Sequence, residues 1–292
     1  MSPILGIYAS QISGHVGPYA TGGTIISNGS YWYHLFTSSG TFTPAKSLTT
    51  DVLVVAGGGG AGNSVGGGGG AGGLLYGTSI TLTATGYVCT IGAGATGTGY
   101  GNPTNVASNS SLGSWVANGG VSGSPAAVTN TLNGGNGGGK PATGSGGSSL
   151  TNQTNQGSLV GYGNNGGDNG SNYSGGGGGA GAVGGTGGAN SRGGDGGVGL
   201  TNSVINAMGT ATGAGQLVSG NYYFAGGGGG SAWPTVSATT NAGYGGNGGG
   251  GNGNSLATAI NGTVNTGGGG GGTNSGDSAQ GGSGIIIIRY PN

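Results

Sequence analysis

The residues from Asp51 to Gly62, DVLVVAGGGGAG, could bind a dinucleotide, because a short apolar strand leads into the pattern Gly57-x-Gly59-x-x-Gly62. That chemistry needs a helix that opens at the third glycine and an acidic residue about 20 residues further on. The following residues, NSVGGGGGAGG, cannot form a helix, and no acidic residue occurs between Asp51 and Asp168. The pattern therefore does not predict a dinucleotide site.

Acid–base or nucleophilic catalysis would need titratable side chains in pairs or triads. The chain has four aspartates, no glutamate and two histidines, and its histidines, His15 and His34, lie in separate segments. The segment GGDNGSN around Asp168 lacks the glutamate and the further carboxylates of a calcium loop, so we interpret it as a turn. We predict that the protein is not an enzyme and that it needs no metal or other cofactor.

Charge and cysteine content exclude further classes. The net charge is zero and only 3% of the residues are charged, so the chain has no basic cluster for nucleic acid or an anionic membrane. No apolar run approaches the ~20 residues of a membrane helix. Cys89 is the only cysteine, which excludes an intramolecular disulfide and is typical of assembly in a reducing cytosol. We expect neither a nucleic-acid partner nor membrane insertion.

The elements that would position any site are strands. Residues 25–56 are rich in β-branched and aromatic side chains separated by turn residues, residues 74–94 add further strand patterns, and Ile285–Ile288 reads as a buried strand. No segment shows a helical repeat of apolar positions. We predict a mostly β or irregular fold with almost no α-helix, in which a small β-sheet bracket is formed by residues 25–56, 74–94 and 285–290.

Residues 57–284 contain most of the 87 glycines of the chain. Collagen is excluded because glycine does not recur at every third position, and a silk-like sheet is excluded because Gly-Ala alternation is missing. A flexible linker remains an alternative, although linkers are seldom bracketed by strands such as Val52–Val55. We predict a bundle of polyglycine-II-type three-fold helices, stabilised by hydrogen bonds between neighbouring backbones.

The segment GGTGGANSRGGDGGVG, residues 184–199, shows the expected spacing. Its non-glycine residues recur at every third position, interrupted once, and would line the outer edge of one three-fold helix; they are Thr186, Ala189, Arg192, Asp195 and Val198. The glycine pairs between them would face neighbouring helices.

Four segments together resemble the glycine-rich domain of bacteriophage tail-fibre and related virion proteins: FTSSGTFTP (36–44), DVLVVAGGGGAG (51–62), GGGGGAGGLLYG (66–77) and GGSGIIIIRYP (281–291). The resemblance covers roughly residues 31–292. Adhesins at the tips of some T-even-type long tail fibres are similar in principle, since they stack polyglycine helices whose connecting loops touch the host receptor. The resemblance implies that the strands hold a polyglycine lattice together, and it supplies no catalytic residues.

Aromatic side chains between glycine runs and beside Asn, Ser and Thr are typical of binding loops. The candidate receptor-binding residues are Tyr162, Tyr173, Tyr222, Tyr223, Phe224, Trp233 and Tyr244. The alternative is that these rings only cover the flanks of the lattice. The segment NYYFAGGGGGSAWP, residues 221–234, is the best candidate for an exposed patch.

We therefore expect a virion protein, assembled in the host cytoplasm, that recognises the host surface as a tail-fibre or adhesin component. Residues 1–24 would attach it to other virion or tail proteins, and residues 25–292 would form the glycine-rich domain. The receptor would be a surface glycan or an outer-membrane protein, and a homo-oligomer, first of all a trimer, is expected. A non-adhesive decoration or fibre protein is the alternative, and the lack of paired carboxylates disfavours a glycan depolymerase.

Overall fold

The structure of the chain, a computed structural model, describes residues 17–102, 104–126, 132–142, 150–233 and 241–292. Residues 1–16 of the expected attachment segment lie outside these ranges. The strands are β1 (Ala20–Thr21), β2 (Thr24–Ser27), β3 (Tyr31–Phe36), β4 (Gly40–Pro44), β5 (Leu48–Val55), β6 (Leu74–Leu82), β7 (Tyr87–Thr90), β8 (Ser110–Leu112), β9 (Trp115–Ala117), β10 (Asn133–Gly134), β11 (Leu150–Thr151), β12 (Val160–Tyr162), β13 (Gln216–Val218), β14 (Asn221–Tyr223) and β15 (Ile285–Pro291). One α-helix, α1 (Ser203–Thr212), and a 3-10 turn, Ala189–Ser191, complete the described elements.

The largest sheet has six strands in the order β12-β6-β5-β15-β3-β2. Its central strand, β15, is antiparallel to both β5 and β3. Ile285 pairs with Val55 and Ile288 with Val52, although more than 220 residues separate the two runs. The prediction that these apolar segments lie in one β-sheet is confirmed, and so is the predominance of β-structure with little α-helix.

Both faces of the six-stranded sheet are covered, as continuous apolar strands require. A second sheet, in the order β1-β4-β7-β8-β9, packs on the face that carries Val52, Val54, Ile286 and Ile288. The opposite face, with Leu53, Val55, Ile285 and Ile287, packs against Ile205, Met208 and Phe224. The bracket is thus a two-sheet sandwich in which β6 and β7, which follow one another in the sequence, lie in different sheets. Strand β1 already belongs to it, so the bracket begins before residue 25.

The helix α1 is a feature that the sequence analysis did not predict. Asn202 caps its first turn, because its side-chain oxygen accepts hydrogen bonds from the N–H groups of Val204 (3.0 Å) and Ile205 (2.9 Å). Gly213 closes it in the left-handed conformation, with φ = 69°. The apolar stripe is short, and Ile205 and Met208 are its fully buried large side chains. Ten residues with one stripe are too few to give a clear helical period.

His34 of β3 is buried and faces the second sheet, where its ring centroid is 4.9 Å from that of Phe42. Its Nδ1 lies 2.7 Å from the carbonyl oxygen of Gly22, and its Nε2 lies 3.1 Å from the hydroxyl of Tyr290. Burial lowers the pKa of His34 below its ordinary value of 6.5, and the hydrogen bond to Gly22 opposes this shift only in part.

We therefore expect the protein to lose stability as the pH falls below 6.5, the ordinary pKa of a histidine that is exposed by unfolding. Because the pKa in the folded state is lower, the unfolded state takes up the proton first, and the loss continues down to the folded pKa. Melting temperatures between about pH 7.5 and pH 5 test this. The variant His34→Gln should flatten the profile. A wild-type profile that is flat over this window would contradict the prediction.

The glycine runs extend from the sandwich. The backbone hydrogen bonds between neighbouring runs repeat every three residues. Along residues 67–73, every third backbone N–H donates to the same neighbouring segment: residues 67, 70 and 73 to segment 118–124, residues 68 and 71 to segment 175–178, and residues 69 and 72 to segment 267–270. One run therefore has hydrogen-bonded neighbours in three directions. Its interior position explains why it consists almost entirely of glycine.

Residues 184–199 lie at the outside of this arrangement. Thr186, Ala189, Asp195 and Val198 are exposed and Arg192 is half-buried, whereas Gly194 and Gly197 are buried. The predicted outward direction of the third-position side chains is thus seen in the structure. The 3-10 turn occupies the place where the sequence repeat is interrupted.

Candidate functional site

The glycine runs have two distinct ends. At the bracket end, Ala56 follows β5 and Gly284 precedes β15. At the distal end the chain turns at Val65 and Gly66, whose carbonyl oxygens accept hydrogen bonds from the hydroxyls of Ser174 (2.6 Å) and Ser231 (2.9 Å). These buried contacts tie three runs together at the end furthest from the sheets.

Four of the seven predicted site residues lie at the bracket end. Tyr162 on β12 pairs with Leu74, and Tyr222 and Tyr223 form β14 of a short hairpin, with all three tyrosines half-buried. The backbone N–H of Tyr222 donates to Asn206 of α1 over 2.8 Å. Phe224 is fully buried, so its side chain is part of the core and offers no surface to a receptor.

Tyr173 and Trp233 lie at the distal end. Gly170 and Tyr173 exchange two backbone hydrogen bonds of 3.0 Å, which close a turn that contains Asn172 at φ = 67°. The N–H of Trp233 donates to the carbonyl oxygen of Asn172 over 2.8 Å, so the turn fixes the backbone of the tryptophan. Trp233 is 37% exposed and Tyr173 is half-buried.

Tyr244 lies on the flank near the distal end, directly after Gly243, and is 59% exposed. The guanidinium of Arg192 lies 4.3 Å from the centroid of its ring. Asp195 forms an ion pair with Arg192 through Oδ2, and its Oδ1 accepts a hydrogen bond of 2.7 Å from the N–H of Tyr244. Because the arginine covers one face of the ring, the other face is the exposed one.

Hydrogen bonds between runs bring these residues into one region. Gly193 donates to the carbonyl oxygen of Asn241, and Gly243 donates to that of Gly230, three residues before Trp233. We call this region the distal patch and define it as Tyr173, Arg192, Asp195, Trp233 and Tyr244. The structure thus brings three of the predicted aromatic residues together and separates them from the other four.

Arg192 and Asp195 were not among the predicted binding residues. The sequence does carry a signal for them, because they are three residues apart, which is the spacing of the outward-facing residues in this segment. A second ion pair, 2.7 Å long, joins Lys140 and Asp168 at the same end. Among the described residues, no group of three or more His, Cys, Asp or Glu side chains is arranged to hold a metal ion.

The fold and the patch define the class of the protein: it is a glycine-rich protein with a β-sandwich bracket. A family model described as a glycine-rich domain matches residues 37–291, and the chain belongs to this family. No match to a curated protein was found. In the part of the chain that the structure describes, no helix has the length and apolar character needed to cross a membrane.

Proposed function

We propose that this glycine-rich protein is a bacteriophage virion protein, a tail-fibre or adhesin component, that attaches to the host cell through its distal patch. The observation that carries the proposal is the presence of Tyr173 and Trp233 at the end remote from the sheets, with Tyr244 and the Arg192–Asp195 ion pair on the adjoining flank. Aromatic rings with a polar edge, fixed on a rigid backbone, are the usual anchors of recognition surfaces.

The rigid backbone of the proposal is a lattice of polyglycine-II-type helices. The three-residue period of the hydrogen bonds along residues 67–73 supports it, because a three-fold helix returns to the same neighbour at every third residue. The burial of the glycines in these runs supports the lattice as well. Such a lattice would present the distal loops as a stiff extension of the sandwich.

The positions of Gly17 and Asn292 support attachment to the virion at the bracket. Gly17 lies three residues before β1, and the N–H of Asn292 donates to Ser30 at the edge of the sandwich that is furthest from the glycine runs. Partner proteins bound through residues 1–24 would therefore leave the distal patch free. Several copies in one homo-oligomer would add avidity to each weak contact.

Adsorption of phage that carry single alanine variants tests the function. Trp233→Ala and Tyr244→Ala should each lower adsorption more than tenfold, since the loss of an aromatic anchor costs ~2 kcal/mol or more. Tyr222→Ala is the matched control, because this tyrosine lies at the bracket end, and it should adsorb normally. Melting temperatures establish that each variant is folded.

Normal adsorption by both distal variants would mean that the rings only cover the lattice, and the non-adhesive decoration protein would then be the better assignment. Loss of adsorption in a stably folded Tyr222→Ala variant would place the receptor contact at the bracket end instead.

A further inference from the structure

We infer that the distal patch binds an uncharged glycan, an inference that rests on the proposed attachment function and names its ligand class. The patch combines an open aromatic face at Tyr244 with hydrogen-bonding groups at its rim and has no uncompensated charge. The aromatic face and the hydrogen-bonding groups favour a sugar ligand, and the lack of uncompensated charge disfavours an acidic one.

The first argument is the pairing of cations. Of the four basic residues in the chain, Lys46 packs on the ring of Tyr19 and Arg289 pairs with Asp51 in the bracket. The two at the distal end, Lys140 and Arg192, are each paired with an aspartate. Phosphorylated or carboxylated sugars are bound by cations that are free to form charge-assisted hydrogen bonds. The distal end therefore offers little to an acidic glycan.

The second argument is the shape of the Tyr244 corner. One face of a pyranose ring carries C–H groups that pack on an aromatic surface, while its hydroxyls project from the edge. The side chains of Asp195, 49% exposed, and Arg192, 20% exposed, lie on the covered side of the ring. A carboxylate accepts hydrogen bonds and a guanidinium carries five donors, so they can bond to the hydroxyls of a saccharide unit that extends past the edge of the ring.

The third argument compares a protein receptor with a glycan as the ligand of the distal patch. A stable protein contact buries about 800 Å² on each side around a largely apolar centre. In the distal patch, Trp233 and Tyr244 emerge from separate segments, and the Arg192–Asp195 pair contacts Tyr244. Aromatic surfaces interrupted by polar groups fit a small polyhydroxy ligand better than a continuous protein surface.

The test is binding of the purified full-length chain to immobilised neutral and acidic oligosaccharides, measured from about 50 to about 500 mM NaCl, a range over which screening of exposed charges increases strongly. Neutral hexose-containing oligosaccharides should bind, with little dependence on salt. Tyr244→Ala should weaken binding about tenfold or more. Tyr244→Phe retains the ring and should bind like the wild type. Binding restricted to acidic oligosaccharides and lost in high salt would overturn the inference, and so would binding to none.

Whole cells separate this inference from the function on which it rests. Cells to which the chain adsorbs are treated either with periodate, which cleaves sugar diols, or with protease. Adsorption that periodate abolishes and protease leaves intact supports the glycan. Adsorption that only protease abolishes would identify a protein receptor and overturn the glycan while preserving the attachment function. If no cells of a broad bacterial panel adsorb the chain, the attachment function itself is wrong.

Discussion

Valine in place of Gly194 is expected to destroy the cooperative folding of the glycine region. The N–H of Gly194 donates to Ser174 over 2.8 Å, and its carbonyl oxygen accepts from Gly230 over 2.9 Å. A β-carbon at this position would overlap the carbonyl oxygen of Gly185. The neighbouring runs would have to separate, which leaves buried backbone groups unpaired at ~1–3 kcal/mol each. Several such groups approach the whole stability of a typical domain, about 5–15 kcal/mol.

Calorimetry and hydrogen exchange measure this effect, and the same run provides matched controls. Thr186→Ala and Val198→Ala alter exposed third-position side chains and should change the free energy of unfolding by no more than about 0.5 kcal/mol. Gly197→Val should behave like Gly194→Val, because a β-carbon there would overlap the carbonyl oxygen of Ala182. Equal melting temperatures for all four variants would refute the close packing of the runs.

Deletion of residues 285–292 is expected to unfold the entire chain, although it removes only the last strand. This strand, β15, is central in the six-stranded sheet, and its isoleucines contribute to both apolar clusters. Burial of one isoleucine stabilises a protein by ~1.5–3 kcal/mol, so loss of Ile285–Ile288 alone removes about 6–12 kcal/mol. Without the sandwich, the runs have no fixed ends from which to align.

Deletion of Pro291 and Asn292 alone is the control, since both residues are exposed and the isoleucines remain. Circular dichroism and resistance to proteolysis should show a folded control and an unfolded longer deletion. If the longer deletion retains a cooperative transition at the wild-type temperature, the glycine region folds independently of the bracket.

The parts of the fold that were predictable from the sequence are those in which side chains carry information. Val52–Val55 and Ile285–Ile288 are uninterrupted apolar runs, and such runs have to pair in the interior of a sheet. The exposed edge at Thr186, Asp195 and Val198 was predictable because these side chains recur at every third position between glycines, and closely packed runs tolerate side chains only where they face outward.

The remaining features depend on the arrangement of glycine runs, which the sequence does not specify locally. Glycine runs have no side chains that distinguish one from another. The sequence therefore does not show which runs are neighbours or in which direction each run extends. The sequence placed Tyr223 and Trp233 near opposite ends of the run between them but could not show which end is distal; in the structure Trp233 lies at the distal end and Tyr223 at the bracket end. The short helix α1 was missed because its signals, Asn202 and Gly213, resemble ordinary turn residues in this composition.

The hydrogen bonds between the runs also bear on how the protein ages. Asparagine followed by glycine is prone to deamidation, in which the glycine nitrogen attacks the asparagine side chain to form a cyclic imide with loss of ammonia. In three such pairs that nitrogen donates to another run: Gly137 to Asn164 over 2.9 Å, Gly253 to Gly243 over 3.0 Å and Gly262 to Gln280 over 2.8 Å. A bonded, immobile nitrogen cannot reach the side chain. The packing of the runs therefore protects these three asparagines from a reaction that would be fast in a flexible chain.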